Sequence, residues 1–227
     1  MIFTNRVEAG HRLACRLGHL RGEDLVVLGL PRGGVPVAYE VALALRAPLD
    51  VIVVRKLRVP LRAEPALGAI AEDDARVVHP HLARRALVDI GELPGIERDA
   101  RRRVARQAER LRDGRERIPL SGRTAVIVDD GVDTGATARA ACQVAGAQHP
   151  AGIVLAVPVA DTDAVAALSR VVDEVVCLHT PPQPRSVSQW YRDFTPVAEE
   201  EIADLLRRTA DRTEQAWTGQ AWTPTAA

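Results

Sequence analysis

Val126-Ile127-Val128-Asp129-Asp130-Gly131-Val132-Asp133-Thr134-Gly135-Ala136-Thr137 is the stretch on which the reading of the fold turns. With Thr124-Ala125 ahead of it, the apolar run is rich in β-branched residues and bounded by turn residues. That is the pattern of a strand buried on both faces of a parallel sheet. Asp129 and Asp130 follow where the strand should end, and open α/β sheets bind ligands outside the carboxyl ends of their strands. Gly131 to Thr137 can turn sharply and open a helix, presenting backbone N–H groups to an anion. Two acids beside an anion cradle suit a ligand with hydroxyls on one side and a phosphate on the other, a ribose 5-phosphate. Two other phosphate loops fail on spacing: a Walker A loop needs Gly-Lys-Ser/Thr and a dinucleotide loop needs Gly-x-Gly-x-x-Gly. Adjacent carboxylates repel by roughly 4 kcal/mol at ~4 Å and an effective dielectric of about 20, so a pair that merely ends a strand is the weaker reading.

Outward from this stretch, strands and helices alternate. Asn5-Arg6-Val7-Glu8 has the form of a capping box and predicts a first helix to about Leu20. Leu25 to Leu30 reads as the first core strand, with Pro31-Arg32-Gly33-Gly34 and a helix to Leu45 after it. Leu49 to Val54 reads as the second strand, ending in Arg55-Lys56. The segment 57–65 has prolines and arginines without an apolar period and is expected to be a mobile loop. Ala66 to Ala71 and Arg76 to Val78 suggest a hairpin about Glu72-Asp73-Asp74. A helix is predicted over 94–117, with Ile96, Ala100, Val104, Ala108 and Leu111 as its apolar stripe. Between Glu97 and Arg117 its outer face carries nine arginines against five acids, read as a solvated surface laced with i,i+4 ion pairs. After the opening motif come a helix over 135–147, a strand over 152–157, a helix over 163–170 and a strand over 175–178. This alternation indicates a doubly wound parallel sheet, an α/β fold. Glu199 to Arg208 reads as the last helix, and 215–227, with its repeated Gln-Ala-Trp-Thr, as a disordered tail.

The chain's 30 basic and 30 acidic residues cancel, so no net charge draws it to nucleic acid or an anionic membrane. Cys15, Cys142 and Cys177 show no metal or redox spacing and read as reduced thiols of a cytoplasmic protein. No apolar run is long enough to span a bilayer, and no leader is evident at the N-terminus. Lys56 is the one lysine among 29 arginines, which marks it as a place where a compact ammonium is needed, or as a chance survivor.

The segment VIVDDGVDTGAT resembles the phosphoribosyl pyrophosphate (PRPP) signature of the type I phosphoribosyltransferases. Pro31-Arg32-Gly33-Gly34 resembles that family's pyrophosphate loop in its Arg-Gly-Gly form, and Gln189-Trp190-Tyr191-Arg192-Asp193-Phe194 resembles a segment of a poorly characterised bacterial branch. That branch carries an aromatic pair just upstream, where this chain has Pro184-Arg185. The resemblance implies a type I core over residues 1–214, with a mobile lid at 57–65 and a small hood built from the N-terminal segment and residues 180–208. It implies that Asp129 and Asp130 hold the ribose hydroxyls. Gly131, Val132, Asp133, Thr134, Gly135, Ala136 and Thr137 are implied to hold the 5′-phosphate, and Arg32, Gly33, Gly34 and Lys56 the pyrophosphate. One peptide of the Pro31–Gly34 loop is implied to be cis. Mg²⁺ is implied as cofactor, reaching Asp129 and Asp130 through water or PRPP oxygens. Asp133 becomes either a catalytic acid/base for the acceptor's proton, alongside Lys56 and Arg32, or a cap of the following helix. Trp190 or Tyr191 becomes a stacking partner for a nucleobase, or packs the hood.

The function these features imply is Mg²⁺-dependent transfer of the phosphoribosyl group to a ring nitrogen of a nucleobase or similar heterocycle, with release of pyrophosphate, as in purine salvage. A PRPP-sensing protein without turnover is the alternative from another class. A homodimer is the oligomeric state that the resemblance implies.

Overall fold

The computed structural model of the chain describes residues 2–57, 68–72, 76–78, 93–181 and 186–218. Its centre is a five-stranded parallel sheet in the order β2-β1-β6-β7-β8. The strands are β1 (Leu25–Gly29), β2 (Leu49–Val51), β6 (Thr124–Val128), β7 (Gly152–Val159) and β8 (Glu174–His179). β1 and β6 pair in register from Leu25 against Thr124 to Gly29 against Val128. Alternate residues of each strand feed opposite cores. Val126 and Val128 pack under helices α1 (Arg6–Arg16), α2 (Gly34–Leu45), α3 (Leu93–Arg112) and α6 (Glu199–Thr218). Ala125 and Ile127 pack under α4 (Ala136–Gly146) and α5 (Thr162–Leu168). Burial on both faces is why these strands read as unbroken apolar runs.

The ends of α1 follow from its first residues. Asn5 accepts the Glu8 N–H at 3.0 Å, and Glu8 reaches back to the Thr4 N–H at 2.6 Å. This satisfies two donors that the helix cannot. The helix stops at Arg16, short of Leu20, and a 3₁₀ turn fills Gly18–Leu20.

The second strand departs from expectation. It leaves the parallel sheet after Val51, and β3 (Val54–Leu57) joins β4 (Gly68–Ala71) and β5 (Arg76–Val78) in a separate antiparallel sheet. Arg55 and Lys56 therefore belong to this second sheet rather than to the end of a core strand. A buried ion cluster holds the break. Arg112 of α3 donates to Asp50 at 2.7 Å and to the Val51 carbonyl at 2.9 Å, and it pairs with Glu72 at the end of β4. Asp50 also accepts the N–H groups of Val51 and Ile118. Arg112 and Asp50 are 7% and 3% exposed, so one arginine of the helix taken as a solvated face is instead its inward anchor. Elsewhere on α3 the ion-pair reading holds, with Arg103 at 2.7 Å from Asp99. The helix ends at Arg112, not 117, because Asp113 and Gly114 turn into left-handed conformation with φ of 49° and 78°.

The N-terminal segment pairs with the segment that follows β8. Ile2 and Phe3 donate their N–H groups to the Trp190 carbonyl at 3.0 Å, and Arg192 donates back to Phe3 at 2.9 Å. The last helix runs to Thr218, ten residues past the expected end. The expected lid, apart from Leu57, and the Pro184-Arg185 departure lie outside the described residues, as does the tail beyond Thr218. No described helix is long and apolar enough to cross a membrane.

Candidate active site

The strand order puts the switch point of the sheet between β1 and β6: from β1 the chain moves to β2 on one side, while β6 begins the march to β8 on the other. Loops leaving these two strands in opposite directions open a crevice at their carboxyl ends. Pro31–Gly34 borders it from β1, and Asp129 to Thr137 from β6. The two loops are interlocked. Leu30 donates its N–H to the Val128 carbonyl at 2.9 Å, and Gly34 donates to Leu30 at 3.0 Å. A Cβ on Gly33 would overlap the Asp130 carboxylate, and one on Gly34 would lie 2.6 Å from the Val128 oxygen and 2.8 Å from Asp129 Cα. Both glycines are thus needed for close approach. The Pro31–Arg32 peptide is cis, as the resemblance implied.

Asp129 and Asp130 stand side by side in this crevice. Asp129 Oδ1 accepts the Asp130 N–H at 2.9 Å. Burial pushes the Asp129 carboxyl well above the usual carboxylate range, and the neighbouring Asp130 charge adds to the rise. Asp130 is also raised by burial, against the pull of Arg6. Arg6 of α1 donates Nε to Asp130 Oδ2 at 2.8 Å, and the two side chains are 11% and 14% exposed. Nothing in the sequence motif pointed to Arg6. Its sole sequence signal is its place in the first turn of the capped helix, 124 residues from its partner.

Beyond the acids, Val132 turns away from the crevice: its N–H donates to the Val159 carbonyl at 2.8 Å and its carbonyl accepts from Asp161 at 3.0 Å. Its amide is therefore engaged by the sheet, which removes it from the expected phosphate cradle. The amides of 133–137 have no backbone partner among the described residues. Gly135 takes φ of 74°, a left-handed conformation that favours glycine, and starts α4 with no side-chain cap. Asp133 therefore does not cap α4. It is exposed and borders a small open hollow with Val132, Val159, Asp161, Val187 and Trp190. Asp161 caps α5, accepting the N–H groups of Asp163 and Ala164.

The two aromatic candidates are separated. Trp190 lines the hollow, with its ring edge-to-face on His179 at 5.0 Å. Tyr191 is 2% exposed and packs between Phe3 and Phe194 at 5.3 and 5.1 Å. Its hydroxyl donates to the Asp130 carbonyl at 2.5 Å, and burial raises its pKa. Tyr191 thus has no face to offer a base; it is a hood residue that steadies the acidic loop. Arg32 is exposed at the crevice edge, and Lys56 is half-buried on β3 opposite Ala69. No hydrogen bond or ion pair between described residues ties Lys56 to the acids.

The sheet switch point is framed by an Arg-Gly-Gly loop and an acidic pair, an arrangement of the α/β class of ligand-binding folds. The phosphoribosyl transferase domain family matches residues 6–188, and the chain belongs to that family. Two Mycobacterium tuberculosis proteins, both named "Putative phosphoribosyl transferase", are 53% identical over 207 residues. The match covers 91% of this chain and 47% of theirs, so the chain spans about half the length of these curated relatives. The crystal structure of the protein TT1426 from Thermus thermophilus matches with a TM-score of 0.81 at 41% identity, covering 92% of this chain and 99% of that one. A hypothetical Neisseria gonorrhoeae protein solved with bound ppGpp shares the fold at a TM-score of 0.50 and 12% identity, covering 91% of this chain and 96% of that one.

Proposed function

We propose that this chain transfers the 5-phosphoribosyl group of PRPP to a ring nitrogen of a nucleobase-like heterocycle and releases pyrophosphate. The observation that supports it most is the half-buried Asp129–Asp130 pair at the switch point, packed on Gly33 and Gly34. In this reading a ring nitrogen attacks C1′ as the C1′–oxygen bond breaks, and the bond's electron pair leaves with pyrophosphate. Positive charge grows on the sugar ring, and the acidic pair stabilises it. Asp133, exposed beside Trp190, takes the proton that the attacking heterocycle loses. Trp190 offers the base a face, the amides of 133–137 hold the 5′-phosphate, and Arg32 with Gly33 and Gly34 receives the pyrophosphate. Lys56 reaches the same end of the ligand from the second sheet.

Two adjacent carboxylates are too few to cage a metal, and no cluster of three or more His, Cys, Asp or Glu occurs among the described residues. They fit Mg²⁺ held mainly by water and substrate oxygens, as that ion prefers. Bound there, it would neutralise charge on the departing pyrophosphate. A homodimer belongs to the same proposal, checked by light scattering.

Incubation with PRPP, Mg²⁺ and a panel of purine and pyrimidine bases, with pyrophosphate release as the readout, tests the transfer. Release that depends on one base is the expected result. Calorimetric binding of PRPP without release for any base would replace the transferase reading with a PRPP-sensing one.

A further inference from the structure

The acidic pair is held in an unusual way. Asp129 is fixed through Oδ1 by the Asp130 N–H at 2.9 Å, and Asp130 through Oδ2 by Arg6 Nε at 2.8 Å. The second oxygen of each carboxylate receives no N–H from another described residue, and the two carboxyls also interact with each other. The pair thus presents one acceptor oxygen per residue, which matches the two hydroxyls of a vicinal diol.

Arg6 is itself immobilised from the hood. One terminal nitrogen donates to the Thr195 carbonyl at 2.9 Å, and the guanidinium carbon lies 3.9 Å from the centre of the Phe194 ring. Phe194 packs on Tyr191, whose hydroxyl binds the Asp130 carbonyl. Hood residues therefore grip Asp130 at both its side chain and its main chain. Gly33 lies so close that a Cβ there would overlap the Asp130 carboxylate. An arginine is suited to this because its planar fork makes two directed bonds while its face stacks on a ring; a lysine ammonium is a point charge without that geometry.

We infer that Arg6 is a positioning residue for ribose recognition: by occupying Asp130 Oδ2 it aims the other oxygen at a sugar hydroxyl, so that the site selects a vicinal diol. This rests on the phosphoribosyl reading of the crevice. Arg6 lies outside the acidic motif, and among the described residues its hydrogen bonds go to Asp130 and Thr195 rather than to 131–137, so its contribution is separable from phosphate binding.

The test is calorimetric titration of the full chain, and of Arg6→Gln, Arg6→Lys and Phe194→Leu, with ribose 5-phosphate and with 2,3-dideoxyribose 5-phosphate. The wild-type protein should prefer the diol by about tenfold or more, the ratio equivalent to one charge-assisted hydrogen bond. Both Arg6 variants should bring that ratio close to one while keeping affinity for the dideoxy compound within about twofold, as separate sites do. Phe194→Leu, which leaves Arg6 in place without its platform, should give an intermediate ratio. An undiminished ratio in the Arg6 variants would overturn the inference. So would full rescue by lysine, since charge alone would then suffice, or an equal loss for both ligands, which would mark a purely structural role. Failure of the wild-type protein to bind either ligand would instead overturn the phosphoribosyl reading, and the role of Arg6 with it.

Discussion

Replacing Asp129 with asparagine should stabilise the protein while abolishing its ligand. Asp129 is half-buried beside a second carboxylate, and both loss of solvent and that neighbour disfavour its ionised form. Two charges ~4 Å apart at an effective dielectric of about 20 repel by roughly 4 kcal/mol, which sets the ceiling on the gain. Arg6 pairs with Asp130 and offsets part of it, leaving a gain of about 1–2 kcal/mol. Asparagine keeps the Oδ1 acceptor that receives the Asp130 N–H, so the loop loses no hydrogen bond. For a chain of this size each kcal/mol moves Tm by about 2–4 °C, hence a rise of roughly 2–8 °C at neutral pH without ligand. The pH dependence has a definite sign. A carboxyl whose folded pKa lies above its unfolded value binds more protons in the native state. Its penalty is therefore full above the folded pKa and is relieved as pH falls toward the unfolded value of about 4. The wild-type protein should gain stability from this pair as pH drops from neutral toward 5, and Asp129→Asn should flatten that gain. Calorimetric melts from pH 5 to 8 measure both effects. An unchanged or lowered Tm at pH 7.5 would refute the argument, since it would mean that the half-buried pair carries no electrostatic penalty.

Four other outcomes are expected. Gly34→Ala places a methyl group 2.6 Å from the Val128 oxygen and should abolish PRPP binding by forcing the two crevice loops apart, as read by calorimetry. Asp133→Ala should remove turnover but leave PRPP affinity nearly intact, because in the proposed transfer Asp133, which lines the hollow with Trp190, faces the acceptor; full activity would return it to a passive loop acid. Arg112→Met leaves Asp50 and Glu72 buried without their cation and should cost about 3–5 kcal/mol in urea unfolding. At pH 8 Cys142, whose thiol burial pushes up to about 12, should resist alkylation in the native state, whereas exposed Cys15 reacts first.

Much of this protein was legible in local pattern. Unbroken apolar runs at Leu25–Gly29 and Thr124–Val128 announced strands buried on both faces, since such strands need no polar alternation. The acidic pair and the Gly131–Thr137 turn marked the loop that leaves β6 at the switch point, because adjacent acids and a glycine turn end a buried strand. The end of the second strand is not legible, for the converse reason. Val51, Ile52 and Val53 are all buried, so hydrophobicity shows no seam where the chain passes from the parallel sheet to the hairpin. The seam is set by Asp50, Glu72 and Arg112, which are far apart in sequence and look like ordinary surface charges until folding joins them.

Local sequence thus determined the fold class and the position of the acidic crevice, because burial periodicity and turn chemistry act over a few residues. Tertiary structure alone decided which side chains serve that crevice. It enclosed Tyr191, left Trp190 at the hollow, engaged the Val132 amide in the sheet and brought Arg6 across 124 positions to Asp130. Those assignments depend on which surfaces meet when the N-terminal helix and the C-terminal hood close over the sheet, and long-range packing leaves no periodic mark on the chain.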